Sequence, residues 1–168
     1  MVGLLCAIAR VIGAYLVHLA DVLRTRHYRP IGEVVPTVAA LRARGATVGL
    51  ATGNVREGAQ LKLASAGVAG AFDLAYGGFG SDAEMRADIV RMAAARCHCA
   101  DGAALVVVGD TEHDVHAARA VGARVVGVAT DQRARAELEA AGADAIVSGC
   151  GADLVAAVLA STAPRVPR

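Results

Sequence analysis

Apolar residues recur along the chain with two alternating spacings from Val34 onward. Stretches with a period near 3.6 residues predict helices, and short apolar runs between them predict buried strands. The predicted strands are Thr47–Ala51, Phe72–Tyr76, Leu105–Val108, Val125–Val128 and Ala145–Val147. The predicted helices are Val34–Arg44, one from Asn54 to Gly67, one starting at Ser81, Glu112–Val121, Asp131–Ala141 and a terminal helix. The tail Ala163–Arg168 after the terminal helix is predicted to be frayed.

Strands and helices that alternate at this pitch predict an α/β fold of three layers, with a parallel sheet covered by helices on both faces. Polar residues in capping-box spacing, Asn54 with Glu57 and Ser81 with Glu84, support two of the helix starts. In such sheets ligands bind beyond the carboxyl ends of the strands. That rule selects three segments, 52–54, 77–81 and 109–114.

The first 20 residues are apolar enough to suggest a signal peptide or a membrane anchor. Arg10 interrupts the run, no basic region precedes it and no small-residue cleavage site closes it, so we expect no membrane role. Apolar residues from Leu4 to Leu23 instead recur at helical spacing, which predicts one amphipathic helix ending near Arg24. Because its apolar stripe would be exposed, we expect the protein to self-associate through this helix.

Composition narrows the class of partner. The 168 residues are 55% hydrophobic and 3% aromatic, as expected for one domain with a core of small aliphatic side chains. The net charge of +1 gives no reason to expect nucleic acid, so a small molecule is the predicted partner. The spacing of the four cysteines favours a reducing cytoplasm over a disulfide framework. Cys97 and Cys99 could suggest zinc, although neighbouring residues at a helix end point in different directions.

The segment VVVGDTEHD, residues 106–114, carries the strongest chemical signal. Asp110 follows an apolar strand and Asp114 lies one helical turn later, a placement that suits a hard cation such as Mg²⁺. The alternative is that Asp110 and Thr111 only cap the next helix. His113 and His116 flank the pair and are interpreted as surface residues of that helix.

The segment GLATGN, residues 49–54, carries the second signal. The Thr52 hydroxyl and the backbone N–H groups of Gly53 and Asn54, just before a helix, would form a cradle for an anion. The alternative is an ordinary turn between strand and helix with Asn54 as its cap.

Taken together, TGN at 52–54 and GDTEHDVHAARAVGA from Gly109 onward resemble two motifs of the haloacid dehalogenase (HAD) superfamily, in the branch of the phosphoglycolate phosphatases. The resemblance runs from about residue 26 to residue 147. It implies a Rossmann-like core, a phosphohydrolase activity and Mg²⁺ as cofactor. By the same resemblance, Thr52 and the Gly53 and Asn54 amides would hold the phosphoryl group, Asp110 would bind Mg²⁺, and Asp114 would ligate or orient it.

The family's third motif supplies a cation, usually lysine, that neutralises phosphate charge. No lysine occurs in the expected stretch, and Lys62 belongs to an earlier helix. Arg86 is the candidate there, because guanidinium binds phosphate in a bidentate manner. The alternative is a solvated arginine on a helix surface.

The chain departs from the family at its front. The first motif, DxDx[TV], supplies the attacking aspartate, and nothing before Thr52 matches it. We therefore expect that the first strand is missing, that residues 1–30 are a remnant of the helical cap and its lead-in, and that residues 31–162 form the core. In the family that strand lies between those bearing Thr52 and Asp110. Either these two pair directly, which the helical period of the N-terminus favours, or the run Gly3–Ala9 replaces the strand.

The sequence thus predicts a HAD-type hydrolase of a small phosphomonoester, working with Mg²⁺ through an aspartyl-phosphate in its complete form and impaired in this chain. The main alternative is a non-catalytic, phosphate-binding regulatory or interaction module. A nucleotide-dependent oxidoreductase is a more distant alternative, because the GGFG run lacks the spacing of a dinucleotide fingerprint. A further alternative is that this sequence comes from a reading frame that starts too late or is shifted, and has no separate function. Substrate identity depends on cap residues and is not predicted.

Overall fold

The structure is a computed structural model that describes residues 16–25, 28–99 and 104–162. Parallel strands and flanking helices alternate through this part of the chain, which confirms the predicted α/β class. The helices are α1 (residues 16–25), α2 (Val34–Arg42), α3 (Arg56–Ser65), α4 (Arg86–Arg96), α5 (Glu112–Ala120), α6 (Gln132–Ala141) and α7 (Ala152–Thr162). The strands are β1 (Leu50–Thr52), β2 (Gly77–Phe79), β3 (Val106–Gly109), β4 (Arg124–Val128) and β5 (Ala145–Val147).

Strands β3, β4 and β5 form one parallel sheet with β4 in the middle. Successive residues of β4 point to opposite faces, as strand geometry requires. Val126 and Val128 enter a cluster with α2 and α7, whereas Val125 enters a cluster with α5 and α6. Helices therefore cover both faces of this sheet, and the three predicted layers are present.

Strands β1 and β2 form a second parallel sheet, with Leu50 opposite Gly77 and Thr52 opposite Phe79. The prediction that the strands bearing Thr52 and Asp110 pair directly is wrong, because β1 and β3 belong to different sheets. Helix α4, which packs on β1 and β2, also packs on α5, which covers β3 and β4. Helix contacts of this kind, rather than strand pairing, therefore join the two sheets. The alternative strand Gly3–Ala9 lies outside the described residues.

In a continuous sheet the middle strands are more buried than the edge strands, and the described strands show the reverse. All three residues of β2 are buried, although β2 has only one strand neighbour in the described part of the chain. Every residue of β1 is only partly buried, and Val108 in β3 is 43% exposed. Among the described residues, no strand pairs with the edges of β1 and β3 that face away from their partners.

The glycine-rich segment 77–79 forms β2, whereas the predicted strand Phe72–Tyr76 is wrong. Asp73 accepts a hydrogen bond from the Ala75 N–H at 2.9 Å and starts a short 3₁₀ turn over Leu74–Tyr76. Glycine is required in β2 because α4 passes close by: a Cβ on Gly78 would lie 2.1 Å from the Ile89 carbonyl oxygen. The close approach of a helix therefore explains Gly78, whereas a Cβ on Gly77 would lie 2.4 Å from the Phe79 ring.

Both predicted capping boxes are wrong. Helix α3 has Val55 as its N-cap and α4 has Met85, and neither cap makes a side-chain hydrogen bond. The polar groups there have other partners, since Asn54 bonds to Thr52 and Asp82 accepts from the Phe79 N–H. Caps elsewhere agree with the sequence: Asp131 accepts from the Ala134 N–H at 2.8 Å and starts α6.

The N-terminal helix is described only over residues 16–25. Leu19 and Leu23 are buried and Val17 is 66% exposed, so the part that can be seen is amphipathic as expected. Self-association through it stays a prediction, as does the division at residue 30, and the tail from residue 163 lies outside the described residues. None of the helices in the described ranges is long and apolar enough to cross a membrane.

The ion pair between Asp82 and Arg96 ties the loop after β2 to the end of α4, and it predicts an acid-sensitive contribution to stability. The two hydrogen bonds from Arg96, at 2.6 and 2.8 Å, lower the pKa of Asp82 from 3.8 to about 2. A lowered pKa stabilises the folded state above the unfolded value, and that stability is lost as the pH falls from about 4 towards 2. We expect a loss of about 1 kcal/mol, because solvent screens part of the attraction.

Urea denaturation at a series of pH values measures this contribution. Asp82→Asn should remove that part of the acid dependence, whereas Asp88→Asn, which breaks an exposed pair with Arg91 on the same helix, should leave it. Equal acid dependence in the wild type and in Asp82→Asn would show that the pair contributes nothing.

Candidate functional site

Thr52 is the last residue of β1, and its hydroxyl oxygen accepts two hydrogen bonds. The Asn54 side-chain Nδ2 donates at 2.7 Å and the Asn54 backbone N–H donates at 3.2 Å. A hydroxyl group has two acceptor lone pairs and one proton. Since both lone pairs are engaged, the Thr52 hydroxyl can take part in a further hydrogen bond only as a donor.

Asn54 is held in place by Lys62 on α3, whose Nζ donates to Asn54 Oδ1 at 2.6 Å. The same ammonium lies 5.4 Å from the centre of the Tyr28 ring. Lys62 was not a predicted site residue, because it belongs to a helix earlier than the stretch in which the family's cation is expected. No local signal marks it, because its place beside the Thr52 loop depends on how α3 packs.

Asp114 lies in the first turn of α5 and is only 5% exposed. Its Oδ2 accepts hydrogen bonds from the Thr111 hydroxyl at 2.9 Å and from the backbone N–H groups of Asp110 and Thr111. Together with Thr111 it forms the capping box of α5. Its Oδ1 accepts from Arg86 Nε at 3.1 Å and Nη2 at 2.6 Å. Both oxygens of Asp114 are therefore already engaged.

Asp110 follows β3 and is exposed. Its backbone N–H donates to Asp114, but among the described residues no hydrogen bond or ion pair reaches its carboxylate. The two acidic residues of this segment thus differ in role. Asp114 fixes the backbone after β3, and Asp110 presents a free carboxylate at the carboxyl edge of the sheet.

Arg86, the first residue of α4, lies between the two sheets. Its guanidinium pairs with Asp114 on one side, and on the other its Nη1 lies 3.8 Å from where a Cβ on Gly53 would be. One side chain therefore connects the loop after β1 with the loop after β3. The Arg86 side chain is 38% exposed, and within the described part of the chain its Nη1 has no acceptor.

Two glycines let these loops approach each other. A Cβ on Gly109 would lie within 2.5 Å of three side-chain atoms of Asp114, so only glycine lets that carboxylate lie against the end of β3. A Cβ on Gly80 would lie 2.1 Å from the Gly53 carbonyl oxygen, and the Gly80 N–H donates to the Asn54 carbonyl at 2.9 Å. The loop after β2 therefore supports the loop that carries Gly53.

The two aspartates after β3 are arranged so that one of them, rather than both, would be a ligand of Mg²⁺. Mg²⁺ is held in proteins by one or two carboxylates, with waters and substrate phosphate as further ligands. Asp110 meets this need, whereas Asp114 would have to give up hydrogen bonds from Arg86 or from its own helix cap. The geometry thus favours the orienting role for Asp114 over the ligating one. No group of three or more His, Cys, Asp or Glu side chains in the described ranges could hold a metal alone.

The other candidate residues lie apart from this arrangement. Cys97 follows α4 and its thiol contacts the Tyr76 carbonyl oxygen at 3.7 Å, and burial raises the pKa of that thiol. His98 has a positive φ of 56° and is exposed, as are His113 and His116 on the outer side of α5. None of these residues is in a contact that brings it to Thr52 or Asp110.

In this α/β protein a hydroxyl donor and an exposed carboxylate follow the carboxyl ends of two strands, where ligands bind in folds of this kind, and the Arg86 guanidinium contacts both loops. A family model described as haloacid dehalogenase-like hydrolase matches residues 5–122. That match covers well over half of the chain, so the protein belongs to the haloacid dehalogenase-like hydrolase family. No curated protein was found to match the chain.

The buried position of Asp114 predicts that its carboxylate matters for stability and that of Asp110 does not. Asp114→Ala removes the cap of α5 and leaves the half-buried Arg86 without its partner, so we expect the free energy of unfolding to fall by about 2–4 kcal/mol. Asp110→Ala is the matched control and should change it by less than about 0.5 kcal/mol. Urea denaturation measures both, and equal losses would contradict the division of roles.

Proposed function

We propose that this protein is a phosphohydrolase of the haloacid dehalogenase type that cleaves a small phosphomonoester with Mg²⁺ through an aspartyl-phosphate. Membership of the hydrolase family supports the class of reaction. It does not favour the alternative of a non-catalytic binding module. The phosphoglycolate-phosphatase branch and the cytoplasmic location remain predictions, as does the absence of nucleic-acid and membrane partners.

The observation that carries the proposal is the state of the Thr52 hydroxyl. Both of its lone pairs accept from Asn54, so its proton points to whatever acceptor occupies the site. A phosphoryl group offers oxygen acceptors and no donors at neutral pH. A hydroxyl that can only donate therefore favours a phosphoryl group over a ligand that must itself donate a hydrogen bond to the hydroxyl.

Arg86 and Asp110 complete the environment of the phosphoryl group. The Nη1 side of Arg86 faces the Thr52 loop and would donate to a phosphoryl oxygen while Nε and Nη2 stay with Asp114. Asp110 would hold Mg²⁺, which when bound supplies charge neutralisation at the phosphoryl oxygens. Asp114 would keep both groups in place through its bonds to Arg86 and to the Asp110 N–H.

The attacking carboxylate belongs, in this proposal, to a strand between β1 and β3. Strand β1 pairs in parallel with β2 and strand β3 with β4, and in this proposal a strand placed between β1 and β3 would end beside Thr52 and Asp110. The described residues place no strand and no further carboxylate there. We therefore propose that the chain as given turns over phosphomonoesters negligibly, since binding the phosphoryl group alone does not provide the covalent step.

An added N-terminal segment tests this function. We expect the chain preceded by an apolar strand ending in DxDx[TV] to release phosphate from p-nitrophenyl phosphate only when Mg²⁺ is present. In that form, Asp110→Ala should lower kcat/KM by at least about a hundredfold, because it removes the metal ligand. Asp153→Ala, which removes a carboxylate at the start of α7, is the matched control and should leave kcat/KM unchanged.

Two results would contradict the proposal. Retained activity in Asp110→Ala would remove the metal-binding role from this residue. A burst of phospho-enzyme in the chain without the added segment would show that the 168 residues already contain a working nucleophile.

A further inference from the structure

Lys62 is the only lysine in the sequence, and its ammonium lies at the back of the Thr52 loop. It is partly buried, with Asn54 Oδ1 at 2.6 Å and the Tyr28 ring at 5.4 Å. An aromatic face and an amide oxygen both favour the positively charged form of the ammonium. The structure thus places one fixed cation two hydrogen bonds away from the Thr52 hydroxyl proton.

The ammonium determines which way the Asn54 amide points. A lysine side chain has donors and no acceptors, so the amide group must turn its oxygen to Lys62. The amide nitrogen then faces Thr52 and donates to the hydroxyl oxygen at 2.7 Å. With the amide reversed, its oxygen would accept the hydroxyl proton and remove it from the site.

We propose that Lys62 is a positioning residue of the anion site: it fixes the Asn54 amide and so keeps the Thr52 hydroxyl as a donor toward the phosphoryl group. This inference rests on the proposed function, because it explains why the Thr52 hydroxyl can donate to a phosphoryl group. Lys62 does not contact the phosphoryl group in this arrangement. Arg86 supplies the cation that does, since its Nη1 lies 3.8 Å from where a Cβ on Gly53 would be.

Binding of inorganic phosphate in the presence of Mg²⁺, measured by calorimetry on the 168-residue chain, tests this role. Lys62→Met keeps a side chain of similar length without its donors and should weaken binding by about three- to tenfold, the effect of one lost hydrogen bond. Lys62→Arg keeps donors and charge and should restore most of the affinity. A role limited to anchoring α3 would lower the thermal stability of Lys62→Met without changing its affinity for phosphate.

A double-mutant cycle separates action through Thr52 from a general effect of charge. In the Thr52→Val background, Lys62→Met should have no further effect, because the hydroxyl that it orients is gone. Additive losses would overturn the inference. So would wild-type affinity in Lys62→Met.

A spectroscopic measurement keeps the inference testable if Lys62→Met does not fold. Lysine labelled with ¹⁵N at Nζ gives a single side-chain signal, since the chain has one lysine. Phosphate should shift that signal in the wild type and not in Thr52→Val, and a signal that phosphate leaves unmoved overturns the inference. If the wild type binds no phosphate, the proposed function and this inference both fail. If the wild type binds phosphate and Lys62→Met binds it with the same affinity, the inference alone is overturned.

Discussion

The contact between Arg86 and Asp114 connects two sheets that do not pair with each other. Helix α4 packs on β1 and β2, helix α5 packs on β3 and β4, and the ion pair joins the first turns of these helices. Arg91, which donates to the Ala120 carbonyl oxygen at 3.0 Å, joins the middle of α4 to the end of α5. The relative position of Thr52 and Asp110 therefore depends on side chains and helix packing, where a continuous sheet would fix it by backbone hydrogen bonds.

One buried carboxylate serves several purposes at this junction. Asp114 caps α5, fixes the backbone of Asp110 and holds Arg86 toward Gly53. A buried ion pair is stable only when its remaining oxygens also find donors, and here the Thr111 hydroxyl and two backbone N–H groups supply them. Because these bonds engage Asp114, the neighbouring Asp110 is the acid left free for a ligand.

Sequence patterns predicted the elements whose causes are local. Helix α6 has a capping aspartate and a left-handed glycine at its ends, and its start and end agree with the prediction. Strand β2 was missed because Gly78 is required by the close approach of α4, which no local pattern encodes. The Thr52 and Asp110 segments do lie at strand ends, although in different sheets. The cap of the helix after β3 is formed by Thr111 with Asp114, whereas metal binding by Asp110 stays a prediction. Lys62 was missed because its partner depends on the packing of α3.

The separation of β1 from β3 leaves a gap that no described strand fills, and this gap affects both the packing and the chemistry of the protein. Val108 is exposed there and the residues of β1 are only partly buried. Yet the donor hydroxyl of Thr52 and the free carboxylate of Asp110 lie on the two sides of that gap, and direct pairing of β1 with β3 would bring them to adjacent strand ends about 5 Å apart. In the proposed function the attacking carboxylate would enter between these two strand ends, and this requires the separation that β1 and β3 keep by lying in different sheets.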